Sequence, residues 1–381
     1  MNYSRTQQPS KVLLTILSLS PGGSERALSE MANWWVGHGH EVAILTLWGK
    51  ETDHYKLNPK IQRFALDFWR RSRNPWQYVM NRIQLLFQIR QTVKRFKPDT
   101  VISFIDLINI IMVVALAGTK IPLIVCERTD PRYHTVSRYR SFARRLSYPN
   151  SLTLVIQTNR IAEWAETILP SSKIEVIPNF VRMIPETLNL QNRNKPEKPY
   201  ILAMGRLDRH KGYDLLINSF AAAKTSHPEW RLVILGEGPE RSNLEGLASC
   251  LGIRDDILMP GVVDEPYEWM QKADFFVHPS RYEGFPNAIL EAMASGLAVI
   301  ATDCPSGPAE IIRHNENGLL IPKDNLKSLE RAIIRLMEDN DLCKRLGEQA
   351  LQVRSTYSQS SIMAKWDALI QRLAHNKIHE P

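Results

Sequence analysis

The stretch Glu283-Gly284-Phe285-Pro286-Asn287-Ala288-Ile289-Leu290-Glu291 sets two carboxylates on either side of a predicted helix start. The apolar run Phe275–His278 reads as a strand and Pro279–Phe285 as a loop. Pro286 suits the first helical position, where its missing N–H costs nothing. The amides of Asn287, Ala288 and Ile289 then lack intrahelical partners and form an anion site at the positive end of the helix. Glu283 sits just before that end, and Glu291 lies about 7.5 Å further along the axis. Carboxylates do not bind phosphate, but they accept hydrogen bonds from sugar hydroxyls. A diphosphate on the helix end would have one carboxylate toward each side, which fits a nucleoside diphosphate-sugar. The plainer reading is an N-capping carboxylate followed by an ordinary helical Glu.

Other segments carry weaker signals. Gly205-Arg206-Leu207-Asp208-Arg209-His210-Lys211-Gly212 follows the strand-like Tyr200–Met204. Arg206 and Lys211 would neutralise a diphosphate and its charge on departure, or stand in a solvated basic loop. The GxxxxGK[ST] phosphate loop is absent. In Pro21-Gly22-Gly23-Ser24-Glu25, two glycines let backbone approach a ligand closely, unless Ser24 simply caps a helix. Cys126-Glu127-Arg128-Thr129-Asp130-Pro131 gathers polar groups at a strand's carboxyl end and is read as acceptor-side or as a structural loop. Phe68–Arg73 and Arg138–Arg145 interleave aromatics with arginines. These stretches suit a membrane surface, a phosphate-rich acceptor or nucleic acid, or form a helix with one solvated basic face.

The elements that must position these residues alternate. Apolar strands are predicted at Lys11–Leu17, Glu41–Leu47, Thr100–Phe104, Pro122–Cys126, Thr153–Gln157 and Ile174–Ile177. They recur at Tyr200–Met204, Arg231–Leu235, Ile257–Met259, Phe275–His278 and Ala298–Thr302. Helices are predicted at Gly23–Gly37 and Pro75–Lys97, with two more, Leu326–Glu338 and Ser361–His375, closing the chain. Strands separated by helices imply parallel pairing with right-handed crossovers. Ligands of such sheets bind beyond the carboxyl ends of the strands. The chain of 381 residues suits two domains. The polar, proline-bearing Asn189–Pro199 reads as the linker between them. Expected bounds are 1–185 and 200–360, with a linker at 186–199 and a C-terminal helix and tail at 361–381.

Composition excludes several classes. The four cysteines are scattered, which argues against a disulfide framework or a structural zinc site. The start of the chain shows no signal-peptide pattern. The apolar window Ile108–Leu116 is short of the roughly 20 residues that span a bilayer and reads as a buried helix. Residues 1–195 hold 27 Lys and Arg against 14 Asp and Glu, and the rest of the chain is net acidic. Such asymmetry points the first half toward an anionic partner.

Taken in order, the GG loop, the Gly205-Arg206-Leu207…Lys211-Gly212 loop, Gly236-Glu237-Gly238-Pro239-Glu240 and the Glu283…Glu291 pair resemble the GT4-type retaining glycosyltransferases of the GT-B fold. The resemblance runs from Val12 to about Trp366. Val176-Ile177-Pro178-Asn179 resembles the family's domain-closing segment, with Phe180 where glycine is common. Thr302–Pro308 is similar to the branch serving bacterial surface-polysaccharide and lipid-linked glycan assembly.

The resemblance implies two tandem Rossmann-like doubly wound α/β domains, the C-terminal helix returning to the first. It implies that Gly22 and Gly23 approach the donor phosphate, and that Arg206 and Lys211 hold the diphosphate and stabilise the leaving group. By the same carry-over Glu283 binds the donor sugar and Glu291 the ribose, with Gly284, Phe285, Asn287 and Ala288 completing the donor site. Catalytic roles fall to Arg206, Lys211 and Glu283, and Glu127, Arg128 and Asp130 are the acceptor-side candidates. Neither a cofactor nor a metal is expected. Many members carry a histidine where Cys126, Glu127 and Arg128 stand here, so the acceptor chemistry departs from theirs.

The expected reaction transfers a hexose or N-acetylhexosamine from a nucleotide-sugar, a UDP- or other NDP-sugar, to a lipid-linked or growing saccharide acceptor. The expected place is the cytoplasm, peripheral on the inner face of the membrane, held by the basic half and without nucleic acid as a partner. A soluble acceptor, a phosphorylase or epimerase, and a basic nucleic-acid binder are the alternatives. The last leaves Arg206, Lys211, Glu283 and Glu291 without a purpose.

Overall fold

The structure is a computed structural model, and it describes residues 9–68, 74–133, 136–182 and 199–379. The chain forms two compact units. One comprises Met1–Pro178 with Ile362–Pro381, the other Asn179–Ser361. The change of unit falls inside the Val176–Asn179 segment. The expected boundary at 185 and the linker, apart from Pro199, lie outside the described residues.

The first unit holds β1 (Lys11–Ile16), β2 (Glu41–Thr46), β3 (Gln62–Ala65), β4 (Thr100–Phe104), β5 (Leu123–Cys126), β6 (Thr153–Ile156) and β7 (Ile174–Val176). They form one sheet in the order β3-β2-β1-β4-β5-β6-β7, every pair parallel. The second unit holds β8 (Tyr200–Met204), β9 (Arg231–Leu235), β10 (Ile257–Gly261), β11 (Phe275–His278), β12 (Ala298–Asp303) and β13 (Leu319–Pro322). Its order is β10-β9-β8-β11-β12-β13, again all parallel.

Alternate residues explain why these strands read as unbroken apolar runs. Ile201, Ala203, Leu232, Ile234, Phe275, Val277 and Ile300 enter one core. Leu202, Val233, Leu235, Phe276, Val299 and Ala301 enter another. Successive side chains point to opposite faces, and helices cover both faces, so both are largely apolar. In each sheet the order reverses at one place, between β1 and β4 and between β8 and β11. That switch point is where ligands of open α/β sheets bind.

The C-terminal helix Gln359–His379 shows its apolar spacing at Ile362, Met363, Trp366, Leu369, Ile370 and Leu373, all buried. Within the first unit Trp366 meets Trp35 edge to face, and Trp35 Nε1 donates to Asp367 Oδ1 over 2.7 Å. Several expectations need correcting. The edge strands β3 and β13 were not foreseen. Helices Asn340–Ala350 and Val353–Thr356 stand between the two expected to close the chain. Ser24 caps nothing: Gly22 is the N-cap of Gly23–Gly37, and no side chain bonds there.

Candidate active site

The second switch point brings together the loop after β8 and the loop after β11. Arg209–Lys211 forms one 3₁₀ turn, and Gly212 then caps the helix Tyr213–Lys224 with φ +70°. A Cβ on Gly212 would lie 2.1 Å from the Pro279 carbonyl oxygen. Only glycine meets both demands, the left-handed backbone and the close approach. The two loops are therefore seated on each other, and Arg281 N donates to His210 O over 2.7 Å. Gly236 and Gly238 fit the same logic, since a Cβ on either would strike the backbone of Gly205 or Leu207. The Gly236–Glu240 motif thus braces the Gly205–Gly212 loop.

At the centre of this arrangement lies Glu283, with 7% of its surface exposed. Lys211 Nζ donates to its Oε1 over 2.6 Å. The His278 ring nitrogen Nε2 lies 2.8 Å from the same oxygen, and Ser280 Oγ is 3.1 Å from that nitrogen. Burial alone would push the Glu283 carboxyl up. The Lys211 and His278 charges and hydrogen bonds together outweigh burial and hold it well below the usual carboxylate range. The result is a fixed, ionised acceptor beside a fixed cation, at the carboxyl end of a central strand. The buried Cys304 thiol is pushed up to about 12, first by burial and then by the Glu283 charge.

The other expected donor residues distribute unevenly. Arg206 stands apart from the Glu283 cluster: its side chain is 70% exposed and, among the described residues, pairs with Asp208 at 3.8 Å. Pro286 is the N-cap rather than the first residue of the helix Asn287–Ala294. Two of the three amides expected to meet an anion are used internally, Asn287 N by Phe285 O and Ile289 N by Pro286 O, each at 3.0 Å. Ala288 remains at that end. Asn287 Oδ1 accepts from Asn179 Nδ2 over 2.8 Å. Gly284 is half-buried in the loop, Phe285 packs into the core against Tyr357, and Glu291 is buried on the helix. Gly307, with φ +115°, lets the Thr302–Pro308 segment close over the Pro286 ring.

In the first unit Gly22 is held at both its N and O by the Tyr55 hydroxyl, at 2.9 and 2.8 Å, and Gly23 opens the helix. The acceptor-side candidates are all buried. Glu127 Oε1 accepts from Tyr148 Oη and pairs with Arg144 Nε at 3.1 Å. Burial raises the Glu127 carboxyl to about 7 against the opposing pull of Arg144. A pKa near neutrality suits a general base; Tyr148 and Arg144 both approach this one oxygen, Oε1. Asp130 likewise pairs with Arg132, at 2.9 Å. Arg128 differs: its guanidinium lies 4.5 Å above the Phe104 ring, and its buried Nε has no hydrogen-bond partner among the described residues. Arg144 is also withdrawn from the membrane-facing set, being buried between Glu127 and Asp106. Arg70, Arg71 and Arg73 lie outside the described residues. His278 and Ser280 were not foreseen. The signal was a histidine ending an apolar strand five positions before the carboxylate.

The switch point of the second sheet thus carries a Lys–Glu–His cluster, with a cation and an ionised carboxylate side by side. The family model described as "Glycosyl transferases group 1" matches residues 186–353, and the "Glycosyl transferase 4-like domain" matches residues 22–179. The lipopolysaccharide core biosynthesis glycosyltransferase LpsE of Rhizobium meliloti is 30% identical, over 77% of this chain and 81% of its own. A Campylobacter jejuni α-1,4-N-acetyl-D-galactosaminyltransferase, named for an undecaprenol-diphosphate-linked substrate, is 28% identical over 94% of this chain and 98% of its own. Among solved structures, the sucrose-phosphate synthase of Thermosynechococcus elongatus superposes with TM-score 0.81 at 19% identity, covering 96% of this chain and 99% of its own. Anabaena HepE, solved with UDP, superposes with TM-score 0.77 at 17% identity, covering 95% and 100%. The structural likenesses establish the GT-B architecture. The chain belongs to the GT4-type glycosyltransferases and is a glycosyltransferase.

Proposed function

We propose that this glycosyltransferase retains anomeric configuration and moves a hexose or N-acetylhexosamine from a UDP-sugar to a lipid-linked or growing saccharide acceptor. The observation that carries the donor half of this reading is the Lys211–Glu283 pair at the β8/β11 switch point. An ammonium with three donors serves a departing diphosphate, whose negative charge grows as the anomeric bond breaks. A buried ionised carboxylate serves the sugar hydroxyls. In this reading the second unit holds the nucleotide-sugar, with Glu291 toward the ribose and Arg206 swinging in from solvent as a second cation. The first unit receives the acceptor. Arg128, which among the described residues is in no ion pair, meets an anionic group there. The names of the two curated relatives support a lipid-linked saccharide as the acceptor class.

We further propose that the protein works peripherally on an anionic membrane face. No helix of the described residues is long and apolar enough to cross a membrane. The helix Pro75–Phe96 nevertheless exposes Trp76, Val79, Met80, Ile83 and Phe87, and Arg138–Ser147 exposes Tyr139, Phe142 and Leu146. Neither helix contains an Asp or Glu. Apolar stripes flanked by cations alone suit a bilayer interface.

The catalytic reading is tested by incubating the protein with a panel of nucleotide-sugars, following slow hydrolysis and then the anomeric configuration of the product by NMR, with and without EDTA. The expected outcome is cleavage of one UDP-sugar with retention, indifferent to EDTA. Inversion, or activity that appears only with added divalent metal, contradicts the reading.

A further inference from the structure

Glu283 takes both of its close contacts on one oxygen. Lys211 Nζ and His278 Nε2 both approach Oε1, at 2.6 and 2.8 Å. Among the described residues no hydrogen bond reaches Oε2. We infer that His278 is a positioning residue of the donor site, fixing the Glu283 carboxylate so that Oε2 faces a sugar hydroxyl of the nucleoside diphosphate-sugar. This rests on the donor-site reading above.

Oε1 of an ionised carboxylate offers only lone pairs, so Nε2 has to carry the proton for a 2.8 Å contact to be favourable. Ser280 Oγ, at 3.1 Å, shares that N–H or holds the ring in plane. The ring itself is anchored. His278 ends β11, pairs in register with Ala301 of β12 and is 2% exposed.

The two donors differ in what they can do when ligand arrives. Lys211 has a flexible stem and three N–H groups, and an arriving diphosphate draws part of its hydrogen bonding away. The imidazole on a central strand has no such freedom. It keeps Oε1 occupied while the ammonium is shared, so the carboxylate plane does not rotate. A structural histidine would stabilise the fold without affecting the sugar end of the ligand more than the nucleotide end. That difference is measurable.

The test compares His278→Met, which is similar in size and has no donor, with His278→Gln, whose amide restores an N–H. The expected result for His278→Met is a loss of about 10²-fold in kcat/KM for the sugar nucleotide, the scale of a small misplacement of a catalytic group. UDP affinity should stay unchanged, and His278→Gln should recover most of the loss. In a Glu283→Gln background, His278→Met should not weaken UDP-sugar binding further, because the two residues act through one contact. The inference is overturned if both His278 variants lose sugar and UDP binding together, or if the His278→Met and Glu283→Gln effects add in full. The ring tautomer, read from imidazole ¹⁵N shifts, decides the contact without any turnover. Nε2–H supports the inference, and a bare Nε2 overturns it. Failure of the wild-type protein to cleave any sugar nucleotide would instead strike at the donor-site reading.

Discussion

Lys211 and Arg206 look equivalent as two cations in one loop, yet the structure separates them. Lys211 is the partly buried counter-ion of Glu283, its side chain 17% exposed, while Arg206 stands in solvent. Removing one partner of a buried pair costs about 3–5 kcal/mol, and the His278 contact that remains keeps the loss for Lys211→Ala toward the low end. On rate, Lys211→Ala is expected to lose about 10²–10³-fold in kcat, the usual effect of deleting one preorganised electrostatic group. Arg206→Ala should leave the melting temperature unchanged, and the double variant should lose less than the product of the singles, since both cations serve one leaving group. Steady-state kinetics with parallel thermal melts check this; small, fully additive losses would mark a mere surface loop. The spacing of the residues pointed to Glu283 and Lys211 because a carboxylate, a helix start and a basic loop form a readable pattern. It did not reveal His278, since a lone histidine ending an apolar strand reads as core. Nor did it show the partners of Glu127 and Asp130, since Arg144, Tyr148 and Arg132 are brought to them only by tertiary packing.

The central strands were legible because burial on both faces keeps their residues mostly apolar. The edges were not. β3 (Gln62–Ala65) is short and mixed, and β13 (Leu319–Pro322) ends in proline, which an edge strand tolerates. The basic stretch 138–145 was expected to meet lipid through all its arginines. Folding instead buries Arg144 and turns Tyr139, Phe142 and Leu146 outward with Arg138 and Arg145. With Pro75–Phe96 this gives two amphipathic helices on the first unit. Each surface Lys or Arg contributes about 1 kcal/mol toward anionic lipid. Co-sedimentation with anionic vesicles should therefore be strong at low salt and weaker at high salt, and Phe142→Asp with Ile83→Asp should abolish it without changing UDP binding. Equal binding to neutral and anionic vesicles would remove the membrane proposal.

At the scale of the whole chain, the alternation of strands and helices made two doubly wound units readable. The return of the last helix to the first unit came from family resemblance and rests on particular contacts. Asp367 is buried beside Trp35, and its Oδ2 has no hydrogen-bond partner among the described residues. Burial raises its carboxyl to about 7. The folded state therefore binds the proton more tightly than the unfolded one, and stability falls as pH rises from the unfolded value toward 7. Asp367→Asn keeps an acceptor for Trp35 and carries no charge. Its melting temperature should exceed that of the wild type, by more at pH 8 than at pH 5; an equal difference at both would show that the Asp367 proton does not bear on docking of the helix.

The central claim is that the second unit binds a nucleoside diphosphate-sugar with Glu283 at the sugar. Glu283→Gln preserves shape and removes the charge, and the decisive measurement pairs UDP titration calorimetry with transfer kinetics on this variant. The account predicts UDP affinity close to wild type and no measurable transfer. Near-normal kcat in Glu283→Gln would contradict it.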